Sequence, residues 1–466
     1  MSKRNVILLI VILIVIVTIV FGFFYFYQPK NQTGSTTENT NFLANFLPFG
    51  GSKNTTPTNT TPPVDVSGYV PPITTTETSN TILKKVSSFP IAGFGVFMKE
   101  RFKDVANPNP TQISENSPLP NPLLSKERAK GEVLPPVKPI APPTEFMPAL
   151  RYVNKATGNI YQTFADKIDE RKFSSTKIPK VYEAYFGNKG ESVIMRYLKR
   201  DLPTGQAGNK TIETFTGTLQ KEYLGADSVG TNEVTGSFLP ENISDMSMSP
   251  DALKIFYLFN IENNVVGVIF SLQTNTKIQV FDSPFTEWLS FWPNNKIITF
   301  TTKPSANIPG YMYSINPDSK DFNKILGDIN GLTTLTSPDG KMVLYSDNNL
   351  SLSIFNTDTK NSNLLGVKTL PEKCVWRTTS DVIYCAVPKI IDKTEYPDSW
   401  YQGEISFSDE IWKIDATSGN ATKLLNPISI EGGEDIDGIK LTLDENQNYL
   451  FFVNKKDSYL WELNLK

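Results

Sequence analysis

A short pattern repeats from about residue 186 to the C-terminus and leaves few folds open to this chain. A hydrophobic strand is followed by a tight turn, a second strand that begins at a lysine, and a third strand that ends in a polar turn. Lys254, Lys296 and Lys341 mark the repeat at intervals of about 42 and about 45 residues, a spacing typical of four-stranded repeat units. The pattern therefore predicts a series of small antiparallel sheets.

The turn before each lysine has the composition of a hairpin corner. Proline presets the backbone angle, and aspartate or asparagine accepts a hydrogen bond from its own backbone. In the third strands 311–315 and 411–414, aromatic or aliphatic residues occupy alternate positions, which is typical of strands with one buried face. The three turns lie at 249–251, 292–294 and 337–339.

Counting four strands per unit predicts how the repeat closes. Units begin near residues 91, 177, 243, 286, 331, 371 and 437, and the last unit ends after three strands at 459–465. We expect residues 81–87 to supply its fourth strand, because a shared blade closes the ring and removes exposed strand edges. The sequence thus predicts an all-β, seven-bladed β-propeller over 81–466, with six or eight blades as alternatives.

Three features of the chain resemble the TolB-type or WD-repeat-like propeller family. They are the turn at 337–340 (Ser-Pro-Asp-Gly), the strand after it, and an aromatic-rich strand that ends in a turn such as 415–419. The resemblance covers roughly 81–466. The chain has no histidine and no Trp-Asp dipeptide, so the TolB-like branch fits better than true WD repeats. The resemblance implies a propeller but little about activity, because such folds serve many functions. A two-sheet sandwich is the alternative fold.

The N-terminus has the composition of a membrane anchor. Residues 6–27 carry no charge and would form a helix of about 33 Å, long enough to cross a bilayer. Lys3 and Arg4 precede this stretch, so we expect residues 1–5 in the cytoplasm and the rest of the chain outside it. The prediction is a single-pass protein of the cell membrane, with the lipid bilayer as its first partner. A cleaved signal peptide is the alternative.

Two further segments are poor in bulky residues. Residues 28–80, rich in Thr, Asn and Pro, cannot bury enough apolar surface to fold, so we predict a disordered linker. A second proline-rich stretch at 105–146 falls inside the first blade, where we predict a long loop.

Composition excludes several classes of function. A chain without histidine has no imidazole base, no Ser-His-Asp triad and no histidine-bound zinc. Its net charge of -3 does not indicate the excess of basic residues that is typical of nucleic-acid-binding proteins. Carboxylate chemistry, calcium or binding remain, and we predict a binding module, with a carboxylate-dependent envelope enzyme such as a glycan-active propeller as the alternative.

An acidic, glycine-containing loop at 431–438 is the candidate metal site. Glu434, Asp435 and Asp437 could hold Ca²⁺ through their oxygens. A solvated connection between blades is the alternative reading, and the sequence predicts no other cofactor.

A long excursion in the sixth unit, 387–408, is the candidate binding surface. Aromatic residues in loops are enriched at interaction sites, and the partner would be an unknown envelope protein or cell-wall polymer. The alternative is that the rings fold back and pack on the propeller. The candidate residues are Tyr396, Asp398, Trp400, Tyr401 and Phe407.

Cys374 and Cys385, the two cysteines of the chain, flank a turn in the same unit. A symmetric hairpin that pairs 376 with 383 sets Cys374 opposite Cys385, at a separation that a disulfide can span. Export to an oxidising compartment favours the bond. Two buried free thiols are the alternative.

Overall fold

The computed structural model describes residues 83–103, 143–199, 211–224 and 232–466. These residues form seven four-stranded antiparallel sheets, so the prediction of an all-β, seven-bladed β-propeller is confirmed and the alternatives of six or eight blades are excluded. The predicted membrane span at 6–27 and linker at 28–80 lie outside the described residues. Within them, no helix is both long and apolar enough to cross a bilayer.

The strands follow each other through the blades in chain order. The short strand β1 (Leu83–Lys85) comes first. Blade one contains β2 (Ile91–Phe102), β3 (Thr144–Asn154), β4 (Ile160–Phe164) and β5 (Arg171–Lys172). Blade two contains β6 (Val181–Gly187), β7 (Ser192–Lys199), β8 (Thr211–Thr218) and β9 (Thr235–Phe238). Blade three contains β10 (Ile243–Met248), β11 (Lys254–Ile261), β12 (Asn264–Ser271) and β13 (Lys277–Ser283).

The remaining blades repeat this order. Blade four contains β14 (Trp288–Asn294), β15 (Ile297–Thr302), β16 (Pro309–Ile315) and β17 (Phe322–Asn330). Blade five contains β18 (Thr333–Thr336), β19 (Met342–Ser346), β20 (Ser351–Asn356) and β21 (Ser362–Lys368). Blade six contains β22 (Cys374–Trp376), β23 (Val382–Pro388), β24 (Asp409–Asp415) and β25 (Ala421–Leu425). Blade seven contains β26 (Gly438–Leu443), β27 (Tyr449–Asn454) and β28 (Leu460–Asn464).

The ring closes as predicted. β1 pairs antiparallel with β28, with Leu83 opposite Leu463, and takes the outermost position of blade seven. Leu83 is 7% exposed and belongs to the core between blades six and seven. Closure therefore combines a strand pairing with burial of a leucine side chain. The burial alone stabilises the fold by roughly 1.5–3 kcal/mol.

The repeated Ser-Pro-Asp turn owes its shape to side-chain hydrogen bonds. Ser337 Oγ donates to Asp339 Oδ1 at 2.6 Å, and the backbone N–H of Met342 donates back to Ser337 Oγ at 2.9 Å. Gly340 follows at φ +77°, a conformation that glycine adopts without steric cost. Ser249 makes the matching bonds to Asp251 and Lys254 in blade three.

Antiparallel order gives the ring two distinct faces. In each of blades one to six, the connections between strands one and two and between strands three and four lie at one end, which we call the turn face. The connections between strands two and three and those between blades lie at the other end, which we call the excursion face. The excursion at 389–408 contains the short helix α1 (Asp398–Tyr401), and 3₁₀ turns occur at Asn188–Gly190, Pro371–Lys373 and Pro427–Ser429.

The predicted loop at 105–146 falls between β2 and β3. Most of it lies outside the described residues, but its last three residues belong to β3, which begins at Thr144. The predicted C-terminal end of the loop therefore lies three residues too far along the chain. Phe146 belongs to a proline-rich stretch of the sequence, although it is paired in a strand.

Candidate functional site

A cleft of about 790 Å³ opens on the turn face between blades one and two. This volume is within the range of ligand pockets, roughly 300–1,000 Å³. Seven basic and four acidic side chains line it, so its charge is opposite in sign to that of the whole chain. The lining residues are Phe97, Met98, Lys99, Glu100, Arg101, Phe102, Phe146, Arg151, Gln162, Thr163, Phe164, Lys167, Asp169, Arg171, Lys189, Glu191, Lys221, Glu222, Tyr223 and Leu224.

The length of the first hairpin creates one wall of this cleft. β2 has 12 residues and β3 has 11, and the two strands stay paired from Ile91 to Phe102. β4 pairs with β3 only from Ala149 onward. The ribbon made by 97–102 and 144–148 therefore projects beyond the rest of its blade. Residues 189–191 and 221–224 of blade two form the opposite wall.

Glu222 lies at the centre of a cluster of three basic side chains on the cleft floor. Its carboxylate accepts hydrogen bonds from Lys99 Nζ and from Arg171 Nη2, the latter at 2.7 Å. Arg151 Nη2 lies 3.8 Å from Glu222 Oε2. The side chains of Arg151 and Glu222 are 3% and 5% exposed, so these charges are largely removed from water. We call Lys99, Arg151 and Arg171 the basic cradle.

Arg151 is held rigidly within the basic cradle. Its Nε donates to Gln162 Oε1 at 2.9 Å and its Nη1 donates to the carbonyl of Gly190 at 2.5 Å. The guanidinium group lies 3.9 Å from the ring centre of Phe173 and 5.3 Å from that of Phe97, and such cation–π contacts are attractive. Burial lowers the pKa of Arg151 to about 10, because the charged form loses its hydration.

The rim of the cleft displays apolar side chains and lysines. Phe146 is 63% exposed and Tyr223 is 72% exposed, and Lys189 and Lys221 are exposed beside them. Large aromatic rings that remain in water next to a cavity are more typical of binding sites than of a bare surface.

The predicted binding residues of the excursion occupy a different place. Tyr396, Trp400 and Phe407 are each 3% exposed and share one cluster with Leu350 and Leu370 of blade five and the connection after it. These three rings are therefore packed onto the excursion face, as the alternative reading of the sequence expected, and present almost no surface to a partner.

Polar contacts fix the excursion across several blades. Asp398 Oδ2 accepts a hydrogen bond at 2.5 Å from the backbone N–H of Ala306 in blade four. The hydroxyl of Tyr401 donates to Glu372 before blade six. Lys455 Nζ, from blade seven, donates to the carbonyl of Trp400 at 2.5 Å. The excursion thus ties blades four, six and seven together.

A buried charge cluster lies beneath the excursion. Lys373 Nζ contacts Asp409 Oδ2 at 2.8 Å and also Asp437, and all three side chains are 0% exposed. Trp400 Nε1 and the backbone N–H of Phe407 both donate to Asp437 Oδ2, at 2.9 and 3.0 Å. Burial opposes ionisation of Asp437, but attraction to Lys373 and these donors together lower its pKa.

The three carboxylates predicted to bind Ca²⁺ do not converge. Glu434 pairs with Lys85 at 2.5 Å, Asp435 pairs with Lys456, and Asp437 pairs with Lys373. Each carboxylate is directed to a different lysine, so the loop acts as a set of structural ion pairs. In the part of the chain that the structure describes, no group of three or more acidic or cysteine side chains is arranged to hold a metal ion.

The predicted disulfide is confirmed. Cys374 and Cys385 are bonded, with Cα atoms 4.1 Å apart. The register is also as predicted, with Trp376 opposite Ile383 and Cys374 opposite Cys385.

Acids with raised pKa values lie away from the cleft. Burial raises the pKa of Asp409 to about 6 and that of Glu462 to about 8, but these side chains belong to the interiors of blades six and seven. The cleft acid Glu222 is engaged by the basic cradle. Three further acids, Glu100, Asp169 and Glu191, also line the cleft.

No sequence pattern predicted the cleft. Its cations come from three strands and one loop of blade one and from two loops of blade two, so no local motif contains them. The one local signal is the stretch 97–103, in which aromatic and basic residues are interleaved at the end of a strand.

Comparisons with known proteins assign the chain to no family. No family model and no curated protein matches it, so the TolB-type resemblance stays a prediction. Among solved structures, it is similar to an oligogalacturonate lyase from Vibrio parahaemolyticus, with 10% identity, a TM-score of 0.45, and coverage of 68% of this chain and 86% of that one. It is also similar to an oligogalacturonate lyase in complex with manganese, with 8% identity, a TM-score of 0.42, and coverage of 68% and 85%. At such identities and scores the similarity says nothing about activity.

Proposed function

We propose that this chain is a binding module of the cell envelope, anchored in the membrane by residues 6–27, and that its ligand binds in the cleft between blades one and two. The observation that supports this most is the basic cradle. Three cations are held in fixed positions around one carboxylate, on the floor of a cavity large enough for a ligand. Positioned charge of this kind favours binding because little ordering is needed when the ligand arrives.

The opposite face supports the same choice of site. There the excursion covers blades four to seven with its own aromatic rings, which are buried. The linker at 28–80 would give the propeller the reach to meet a partner away from the bilayer. A carboxylate-dependent enzyme is the less supported function, because Glu222, the buried acid on the cleft floor, is neutralised by three cations.

Photo-crosslinking in living cells tests the site. A photoreactive amino acid is placed in the full-length chain at Phe146 or Tyr223 in the cleft, and at Phe322 or Leu364 on the outer strands of blades four and five. All four side chains are exposed. We expect adducts from the cleft positions, lost when Lys189→Glu and Lys221→Glu are added. Adducts of equal yield from all four positions, or adducts that survive the charge reversals, would contradict the proposed site.

The anchor is tested separately. If residues 6–27 span the membrane, the chain stays in the membrane fraction under carbonate, and protease cleavage within 28–80 releases the propeller. A mature chain that begins shortly after residue 27 would contradict the anchor and leave the proposed site unaffected.

A further inference from the structure

We propose that the cleft binds an extended acidic peptide segment of a partner protein, which adds as a strand to the free edge of β2. This inference rests on the proposed function and goes beyond it by naming the chemistry of the ligand. Three features carry it: an unpaired strand edge, an excess of positive charge beside that edge, and exposed apolar side chains at its end.

β2 is the innermost strand of blade one, so β3 pairs with one of its edges, and among the described residues the other edge has no strand partner. In the other blades the innermost strand ends near its turn. β2 instead continues through 97–102, and all six of these residues line the cleft. The unpaired edge is therefore accessible to a ligand in the cleft.

The hydrogen-bond pattern shows which backbone groups are free. Pro148 has no N–H, and its carbonyl accepts a bond from Ala165 on the side away from β2, so Met98 and Pro148 form a non-hydrogen-bonded pair. Pairs alternate along an antiparallel ladder, and no register shift interrupts 97–102. The N–H and C=O groups of Glu100 and Phe102 therefore point away from β3. A peptide backbone matches their spacing, as in other cases of strand addition, whereas a glycan has no alternating N–H and C=O groups.

The charge beside this edge favours an acidic segment. Lys99 belongs to the basic cradle, where one carboxylate, Glu222, faces three cations. Arg101 lies two residues further along β2 and is paired with Glu145 and Asp166. Lys189 and Lys221 add exposed charge on the opposite wall. An acidic side chain of an added strand would lie across from Lys99, where cations outnumber carboxylates, and opposite charges in such cross-strand pairs are stabilising.

The apolar rim suits the intervening side chains of such a strand. Phe102 is 41% exposed and Phe146 is 63% exposed, and both lie on the face of the ribbon opposite to Lys99. Because side chains alternate between faces along a strand, a segment that alternates acidic and apolar residues would present each kind to its matching surface.

Binding of labelled peptides to the purified full-length chain tests this inference. The probe is a fluorescein-labelled peptide that alternates glutamate and valine, followed by fluorescence anisotropy. One matched peptide replaces glutamate by glutamine, and another carries N-methyl groups on alternate backbone nitrogens. We expect both changes to weaken binding by about tenfold or more, corresponding to at least about 1.4 kcal/mol. Equal affinity of either matched peptide would overturn the proposal.

Two variants and a glycan probe complete the test. Lys189→Glu with Lys221→Glu is expected to weaken binding of the acidic peptide by about tenfold, and added salt should weaken it further. The control, Lys296→Glu with Lys320→Glu, changes exposed lysines on the turn face of blade four and should leave affinity unchanged. Carboxymethyl-dextran that competes as well as the peptide would overturn strand addition, since it offers carboxylates without a peptide backbone. Concentration-dependent dimers that exclude the peptide would show instead that a second copy occupies the edge.

The outcome separates this inference from the proposed function. If cleft positions crosslink in cells but no acidic peptide binds, the site stands and the ligand class is wrong. If cleft positions do not crosslink, the proposed function itself is contradicted.

Discussion

Two buried carboxylates, Asp437 and Glu462, differ in how the fold compensates them. Asp437 pairs with Lys373 and accepts hydrogen bonds from the indole N–H of Trp400 and the backbone N–H of Phe407. Glu462 is 2% exposed, and its Oε2 has no hydrogen-bond partner. Burial therefore raises the pKa of Glu462 to about 8, whereas Asp437 remains ionised. At neutral pH, Asp437 therefore stabilises the folded state, and Glu462 destabilises it.

We expect Glu462→Gln to stabilise the protein increasingly as pH rises. The folded state keeps the proton on Glu462 after the unfolded chain has released it, so wild-type stability falls as pH rises from about 4.5 to about 8 and then levels off. Glutamine does not ionise, so the variant keeps its stability as pH rises, and its free energy of unfolding should exceed that of the wild type by on the order of 3 kcal/mol above pH 8. Urea unfolding at about pH 5, 7 and 9 measures it. A gain that is the same at every pH would show that ionisation of Glu462 is not the cause.

We expect Lys373→Met to destabilise the protein by roughly 3–5 kcal/mol, because Asp409 and Asp437 would be left buried without a cation. The exposed Lys254 offers a matched control, since Lys254→Met should change the free energy of unfolding by less than about 0.5 kcal/mol. Equal effects of the two substitutions in chemical denaturation would contradict the structural role of the cluster.

At the scale of elements, local sequence patterns predicted the structure correctly where the residues that contact each other lie close together in the sequence. The β22–β23 hairpin is short and symmetric, so its turn fixes the register and the pairing of Cys374 with Cys385 could be predicted. The excursion is different. Its aromatic residues are compatible with a surface or with a packed layer, and the choice depends on Leu350, Leu370 and Asp437, which lie far from some of these rings in sequence.

We expect reduction of the Cys374–Cys385 bond to destabilise the protein by about 2–3 kcal/mol, because the bond closes a short loop in the unfolded chain. Unfolding of the oxidised and reduced chains is compared directly, and the Cys374→Ala and Cys385→Ala double variant should match the reduced protein closely. Modification of both thiols in the denatured, unreduced chain would contradict the bond itself.

At the scale of the whole molecule, blade count and closure were predictable because the repeat has a measurable period and ends one strand short. The cleft was not predictable in this way. It arises because β2 and β3 are longer than a blade requires and because loops of blade two fold against them, so its residues are brought together only by the ring. The alternation of Lys99 and Arg101 is visible in the sequence, but the position of Glu222 beside Lys99 is not.

We expect Leu83→Asp to open the ring. The charge cannot remain in the core between blades six and seven, so β1 should detach and leave the backbone of β28 exposed. Hydrogen exchange should then become faster in 460–464, with a loss of several kcal/mol in stability, on the order of a large core substitution. Lys84→Ala, at an exposed position of the same strand, is the control. Unchanged exchange in β28 would mean that β1 does not hold the ring closed.

Hydrogen exchange of the full-length chain in isolated envelope membranes, compared with the same chain purified from them, tests the central claim most directly. If the cleft is the binding site, exchange in the membranes should be slower at 97–102, 189–191 and 221–224, and unchanged at 389–408. Protection confined to 389–408 would contradict the account, since it would place the partner on the excursion face.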